Sequence, residues 1–181
     1  MKATGVVRRI DNLGRIVIPK EIRRTLRIRE GDPLEIFTNH DGDVILKKYS
    51  PIGELSTFAQ AYTDSISQLL GKTAVVCDRD QIIAASGTDK KALQGQEINK
   101  GVEEMIEDRK SLVAHSGDKN YVNVTENAIN FYAQAAATII CEGDAIGAVM
   151  ILDQDENSKI GENELKMVTV AADFLGRQME G

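Results

Sequence analysis

The stretch 12-NLGRIVIPKEIRRTLRI-28 holds a turn, a short apolar strand, a proline-started helix and five basic side chains. Asn12 and Gly14 suit a tight turn because both tolerate left-handed backbone. Residues 15–18 carry three β-branched side chains and read as a strand. Pro19 fits the first turn of a helix, where its missing N–H leaves nothing unpaired. That helix runs to about residue 26, with Ile22 and Leu26 sharing one face at i, i+4. Arg23, Arg24 and Arg27 fall on the other faces.

Upstream, TGVVRRI at residues 4–10 is a second β-branched segment, joined to the first by the turn at residues 11–14. Downstream, Gly31-Asp32-Pro33 ends the unit. Residues 34–38 and 44–49 then form a hairpin around Asn39-His40-Asp41-Gly42-Asp43. Four strands and one short helix in 50 residues bury too little surface to stand alone. The segment has no cysteine to cross-link it, so association is the remaining route to a core. An obligate, intertwined dimer is expected.

Charge divides the chain sharply. Its net charge is −6, yet residues 1–29 hold 9 basic and 2 acidic side chains. Residues 1–50 have a net charge of +4 and residues 51–181 a net charge of −10. A basic head for a polyanion and an acidic body with another task follow from that split. A solvated face neutralised by Glu21, Glu30 and Glu35 is the competing reading. It leaves most of the nine basic residues without acidic partners. Only Phe37 and Tyr49 are aromatic in this half, too few for a single-strand stacking platform. Arginine's planar fork suits both phosphate and guanine edges, and strand-borne side chains can enter a groove.

The tract LGRIVIPKEIRRTL, followed by GDPLEI and VILKKY, closely resembles the swapped-hairpin DNA-binding domain of the AbrB family of bacterial transition-state regulators. The resemblance covers essentially all of residues 1–50. It implies a domain-swapped dimer of looped hairpins with an arginine-bearing surface for double-stranded DNA. The family's surface arginines fall on Arg8, Arg15, Arg23 and Arg24. Arg9, Lys20 and Arg27 are further positive charges, read as phosphate contacts. The same domain type also serves antitoxins, so neutralisation of a protein toxin is the alternative function.

Beyond residues 51–53, read as a short linker, residues 54–181 form a second domain. Residues 54–70 are a helix whose Leu55, Ala59, Tyr62, Ile66 and Leu69 repeat as a heptad seam. Strands are expected at residues 73–77, 81–86, 111–115 and 121–124, and a helix at 101–109. Residues 131–141 and 145–152 form a long hairpin around Glu142-Gly143-Asp144. Residues 162–179 form the closing helix, with Glu164 placed for a capping box. Leu165, Val168, Ala172, Leu175 and Met179 give that helix a seam of its own, and Met167, Ala171 and Phe174 a second apolar face. This order predicts an α+β sandwich that resembles a GAF domain, a small-molecule sensor fold. The fold class is therefore a mostly-β swapped head followed by an α+β GAF-like body. In combination, the two domains resemble bacterial regulators of spore formation. The terminal helices are expected to pair bodies, giving a homotetramer.

An unidentified small-molecule effector is one expectation for the body. Residues 87–110 and 117–130 would cover its pocket, with Ala133 and Ala135–Ala137 leaving space. Close helix-on-sheet packing is the other reading. No cofactor, metal or catalytic constellation is expected, and hence no enzyme. Gly71-Lys72-Thr73 lacks the first glycine of a phosphate loop, since residue 66 is isoleucine. Asp153, Asp155, Asn157 and Glu164 occupy calcium-loop spacing, but Ser158 stands where glycine is needed. No run approaches the roughly 20 apolar residues of a membrane span. Cys77 and Cys141 read as buried free thiols. A cytoplasmic, nucleoid-associated protein is expected.

Overall fold

The computed structural model describes residues 5–127 and 129–180. Thr4 of the first expected strand and Ala128 of the expected covering loop lie outside them. The chain divides into two compact units, Met1–Tyr49 and Ser50–Gly181.

In the first unit, helix α1 spans Lys20–Thr25 and follows Pro19. Strands β1 (Leu34–Thr38) and β2 (Val44–Lys48) pair antiparallel, Thr38 opposite Val44. The Asn39 side chain organises the connecting turn. Its Oδ1 accepts from the backbone N–H of Asp41 and Asp43, at 3.1 and 2.9 Å. Among the described residues, the two expected strands before the helix are not seen as strands: residues 5–10 and 15–18 carry no strand assignment. A strand exists only as one side of a ladder, and the turn at residues 11–14 joins the two segments. Among the described residues of this unit only Pro19 is buried. Val7 is 89% exposed, Val17 72% and Ile36 66%.

The second unit starts with a correction. Residues 51–53, expected as a linker, belong to helix α2 (Pro51–Glu54), capped by the Ser50 hydroxyl and placing Ile52 in the core with no exposed surface. Helix α3 (Ser56–Leu70) ends at Gly71, whose left-handed φ of 66° closes the last turn. Strands β3 (Thr73–Asp78) and β4 (Ile82–Ser86) follow, then α4 (Lys90–Leu93), α5 (Lys100–Glu107) and β5 (Ser111–His115). Strands β6 (Ala133–Cys141) and β7 (Asp144–Asp153) precede the closing helix α6 (Glu162–Arg177). The sheet order is β4-β3-β7-β6-β5, with every neighbouring pair antiparallel.

Both sheet faces are covered, which is why β3 and β7 read as near-continuous apolar runs. On one face α2, α3 and α6 pack through Ile52, Ala59, Ile66, Val168, Ala172 and Leu175. On the other, α4, α5 and the segment before β6 pack through Leu93, Val102, Met105, Ile106, Val124 and Phe131. The alanines of β6 are covered on both faces of the sheet. Ala135 and Ala137 meet the α6 side and Ala136 the α5 side, all at most 1% exposed. Small side chains let a helix approach: a Cβ on Gly176 of α6 would sit 2.1 Å from Ile140 O.

The expected strand at residues 121–124 is absent. Instead the fully buried Gln134 of β6 grips the backbone of Val122. Its Nε2 donates to Val122 O at 3.0 Å and its Oε1 accepts from Val122 N–H at 2.7 Å. One amide thus stands in for a two-bond ladder step. The β6–β7 hairpin turns on Glu142 and Gly143 alone. Their φ values of 49° and 87° are what a two-residue turn of the I′ type requires. Cys77 is buried, but Cys141, at the end of β6, is only half-buried; both thiols are free. Among the described residues, no helix is long and apolar enough to cross a membrane.

Candidate nucleic-acid interface

The basic residues of the head occupy three settings. Arg8 and Arg9 lie exposed on the irregular segment before the turn. Arg15 follows the turn and is held from it. Lys20, Arg23, Arg24 and Arg27 lie on or just beyond α1.

Asp11 builds the turn. Gly14 N–H donates to Asp11 O at 3.1 Å, and Asp11 N–H donates to Arg15 O at 3.0 Å. The Asp11 carboxylate accepts from the N–H of Leu13 (2.9 Å) and Arg15 (2.8 Å), and from Arg15 Nε–H at 2.8 Å. These bonds hold the Asp11 carboxyl below its usual range, the Arg15 backbone N–H contributing most and its guanidinium next. The Arg15 side chain itself is 71% exposed.

Helix α1 sets its cations by its period. Lys20 and Arg24, four residues apart, line one open groove together with Glu21 and Thr25. Arg23 is turned inward instead. It is half-buried, and its Nε has no hydrogen-bond partner among the described residues. A buried guanidinium nitrogen without a partner is costly. Arg27 adopts a left-handed φ of 51°, and Lys48 Nζ donates to its carbonyl at 2.8 Å. Arg8, Arg9, Arg15, Lys20 and Arg24 are thus exposed, whereas Arg23 is partly withdrawn.

Glu21, Glu30 and Glu35 are the expected acidic partners. Among the described residues, Asp11 pairs with Arg15, and Asp32 accepts from Arg29 N–H at 2.7 Å and lies 3.7 Å from Lys48 Nζ. The signal for Asp11 was available, since aspartate at the first position of a turn closing on glycine caps that turn.

In the body, the loop with calcium-like spacing is spent on local bonds. Asp153 accepts from Ser158 Oγ at 2.6 Å and from Lys72; Glu164 accepts from Gly161 N–H at 2.8 Å and caps α6. Residues 87–110 lie against the sheet as α4, a bridge segment and α5, with Leu93, Ile98, Val102, Met105 and Ile106 all at most 3% exposed.

Two family models match the chain. Residues 54–180 match the family described as "Stage V sporulation protein T C-terminal, transcription factor". Residues 7–54 match "Antidote-toxin recognition MazE, bacterial antitoxin". Stage V sporulation protein T of Bacillus subtilis (strain 168) is 54% identical over 185 residues, covering 99% of each chain. Transition state regulatory protein AbrB of the same organism is 47% identical over 72 residues, 40% of this chain and 74% of its own. The phycocyanobilin-bound GAF domain of a cyanobacterial phytochrome shares the fold of the body. Its TM-score is 0.53 at 17% identity, over 70% of this chain and 84% of that one.

Proposed function

This chain belongs to the stage V sporulation protein T family of transcription factors, and from that premise we propose that it regulates sporulation genes by binding selected double-stranded DNA through residues 1–50. The observation that carries this is the relation along essentially the whole chain, 54% identity over 99% of both proteins. The head adds the chemistry, nine basic side chains within residues 1–29 of a chain whose net charge is −6. Arg8, Arg15 and Arg24 are the proposed base-proximal contacts, with Arg9, Lys20 and Arg27 on phosphates. Arg23 is proposed to reach the DNA surface only after a second chain completes its surroundings. The antitoxin reading loses ground because residues 54–180, which would be the toxin-binding part, match a transcription-factor family.

The proposed active form is a homo-oligomer in which heads interleave and bodies pair. Most apolar side chains among the described residues of the head lie open in one chain, and association is the remaining route to a core for so small a unit. On the body, Phe58 and Leu69 of α3 and Val170 and Phe174 of α6 are exposed on the same helical layer. Tyr62 Oη, donating to Met167 O at 3.1 Å, ties those two helices together. Pairing of such layers would make a tetramer from two head dimers.

Electrophoretic titration of genomic fragments tests the DNA surface. Arg15→Ala and Arg24→Ala are each expected to weaken binding to a selected fragment by about 1–3 kcal/mol, with unchanged circular dichroism and mass. Wild-type affinity in both variants would sink the assignment.

A further inference from the structure

Arg15 is the one exposed cation of the turn, and an acidic side chain four residues earlier holds it. Asp11 carries 38% and Arg15 71% of their full side-chain exposure. Oδ1 of Asp11 is spent on two backbone amides, and Oδ2 on Arg15 Nε–H at 2.8 Å. The backbone of residue 15 is fixed by the same carboxylate, at 2.8 Å, and by its own carbonyl, at 3.0 Å from Asp11 N. Side chain and main chain of Arg15 are therefore held from a single residue. The guanidinium's two terminal nitrogens have no partner among the described residues.

Placing a carboxylate here has a cost. It removes one unit of positive charge from a surface meant for a polyanion, and the counterion-release part of phosphate attraction scales with that charge. Holding the fork rigid helps only a contact that depends on orientation. Bidentate donation to guanine O6 and N7 is such a contact, because both acceptors lie in one plane and must be met together. An unrestrained arginine would lose its rotamer freedom on making that contact; one held by its Nε has already lost part of it.

We propose that Asp11 is a positioning residue that orients the Arg15 fork toward a guanine edge in the major groove, trading non-specific attraction for sequence discrimination. This rests on the reading of Arg15 as a DNA contact. The carboxylate is charged throughout the neutral range, since its hydrogen bonds lower its pKa, so discrimination through it does not change between pH 6 and 8.

The test uses the full-length protein and two duplexes of equal length, a genomic fragment retained by the wild type from sheared DNA and a random sequence. Asp11→Asn keeps an acceptor for the two backbone amides but turns a donor toward Arg15 Nε. The expected result is a fall of about tenfold in the ratio of selected to random affinity. Affinity for the random duplex is expected to hold or rise, and thermal stability to stay near wild type. Asp11→Asn in an Arg15→Ala background is expected to change the ratio no further. A wild-type ratio in Asp11→Asn, with a lowered ratio in Arg15→Ala, would reduce Asp11 to a turn cap and overturn the proposal. So would an equal loss on both duplexes. An Arg15→Ala variant whose log–log salt slope drops by roughly 0.9 with its ratio intact would make Arg15 a phosphate contact, which also overturns it. Wild-type behaviour of Arg15→Ala on both duplexes would instead refute the underlying contact. Should Asp11→Asn fail to fold, Asp11→Ser, which also retains an acceptor for the turn, gives the same reading.

Discussion

Gln134 sits in the middle of β6 with no exposed surface, and its amide meets both backbone groups of Val122. A buried amide is tolerated only when its donors and acceptors are matched. Here the match also anchors the long segment between β5 and β6. Gln134→Leu leaves the Val122 N–H and C=O without their partner, so it is expected to destabilise the body by about 1–3 kcal/mol in urea titration. An unchanged midpoint would mean that water or another group satisfies Val122. Asp11 plays a comparable part in the head, with the difference that its partner is local. That difference decides what could be read beforehand. The Asp11 turn is written into neighbouring residues, whereas nothing near position 134 announces that its side chain will serve as a ladder step.

Among the elements, α2 departs most from expectation. Ser50-Pro51-Ile52-Gly53 has the composition of a linker, but Ser50 Oγ donates to Asp78 Oδ2 at 2.7 Å and accepts from Gly53 N–H at 3.2 Å. Ile52 reaches a site emptied by Gly147, where a Cβ would sit 2.4 Å from Ile52 Cδ1 and 2.1 Å from Cys77 O. Ile52→Ala is therefore expected to cost about 2–5 kcal/mol, seen as a lowered thermal midpoint. If α2 behaved as a free linker, the loss would be under about 1 kcal/mol. The other body elements were legible because their apolar periods are long. The hairpin β6–β7 and the helices α3 and α6 appear within a few residues of where periodicity puts them. The seams on α3 and α6 were legible as well, though not which face they serve. Ala59, Ile66, Val168 and Leu175 go to the sheet within one domain. Phe58, Leu69, Val170 and Phe174 are the ones left outside.

At the scale of the whole molecule, those outward residues are where bodies are proposed to meet. Phe174→Glu and Val170→Glu place a charge on that layer. Each is expected to lower the solution mass by half, from tetramer to dimer, while head pairing persists. A tetramer that survives both substitutions would move the contact elsewhere. The head is proposed to depend on association as well, since among the described residues its β-branched segments before α1 carry no strand assignment.

The amino-acid sequence by itself determined the basic head, the turn at Asp11–Gly14, the order of strands and helices in the body, and the family resemblance of the head. Each of these depends on residues at most a few positions apart, through turn chemistry, capping or apolar period. Only the tertiary structure decided that Ile52 belongs to a core, that Gln134 replaces a strand, and that Arg23 is partly withdrawn. Those facts depend on which distant residues folding brings into contact, within about 3 Å for a hydrogen bond and about 4 Å for apolar packing. No local pattern encodes that distance.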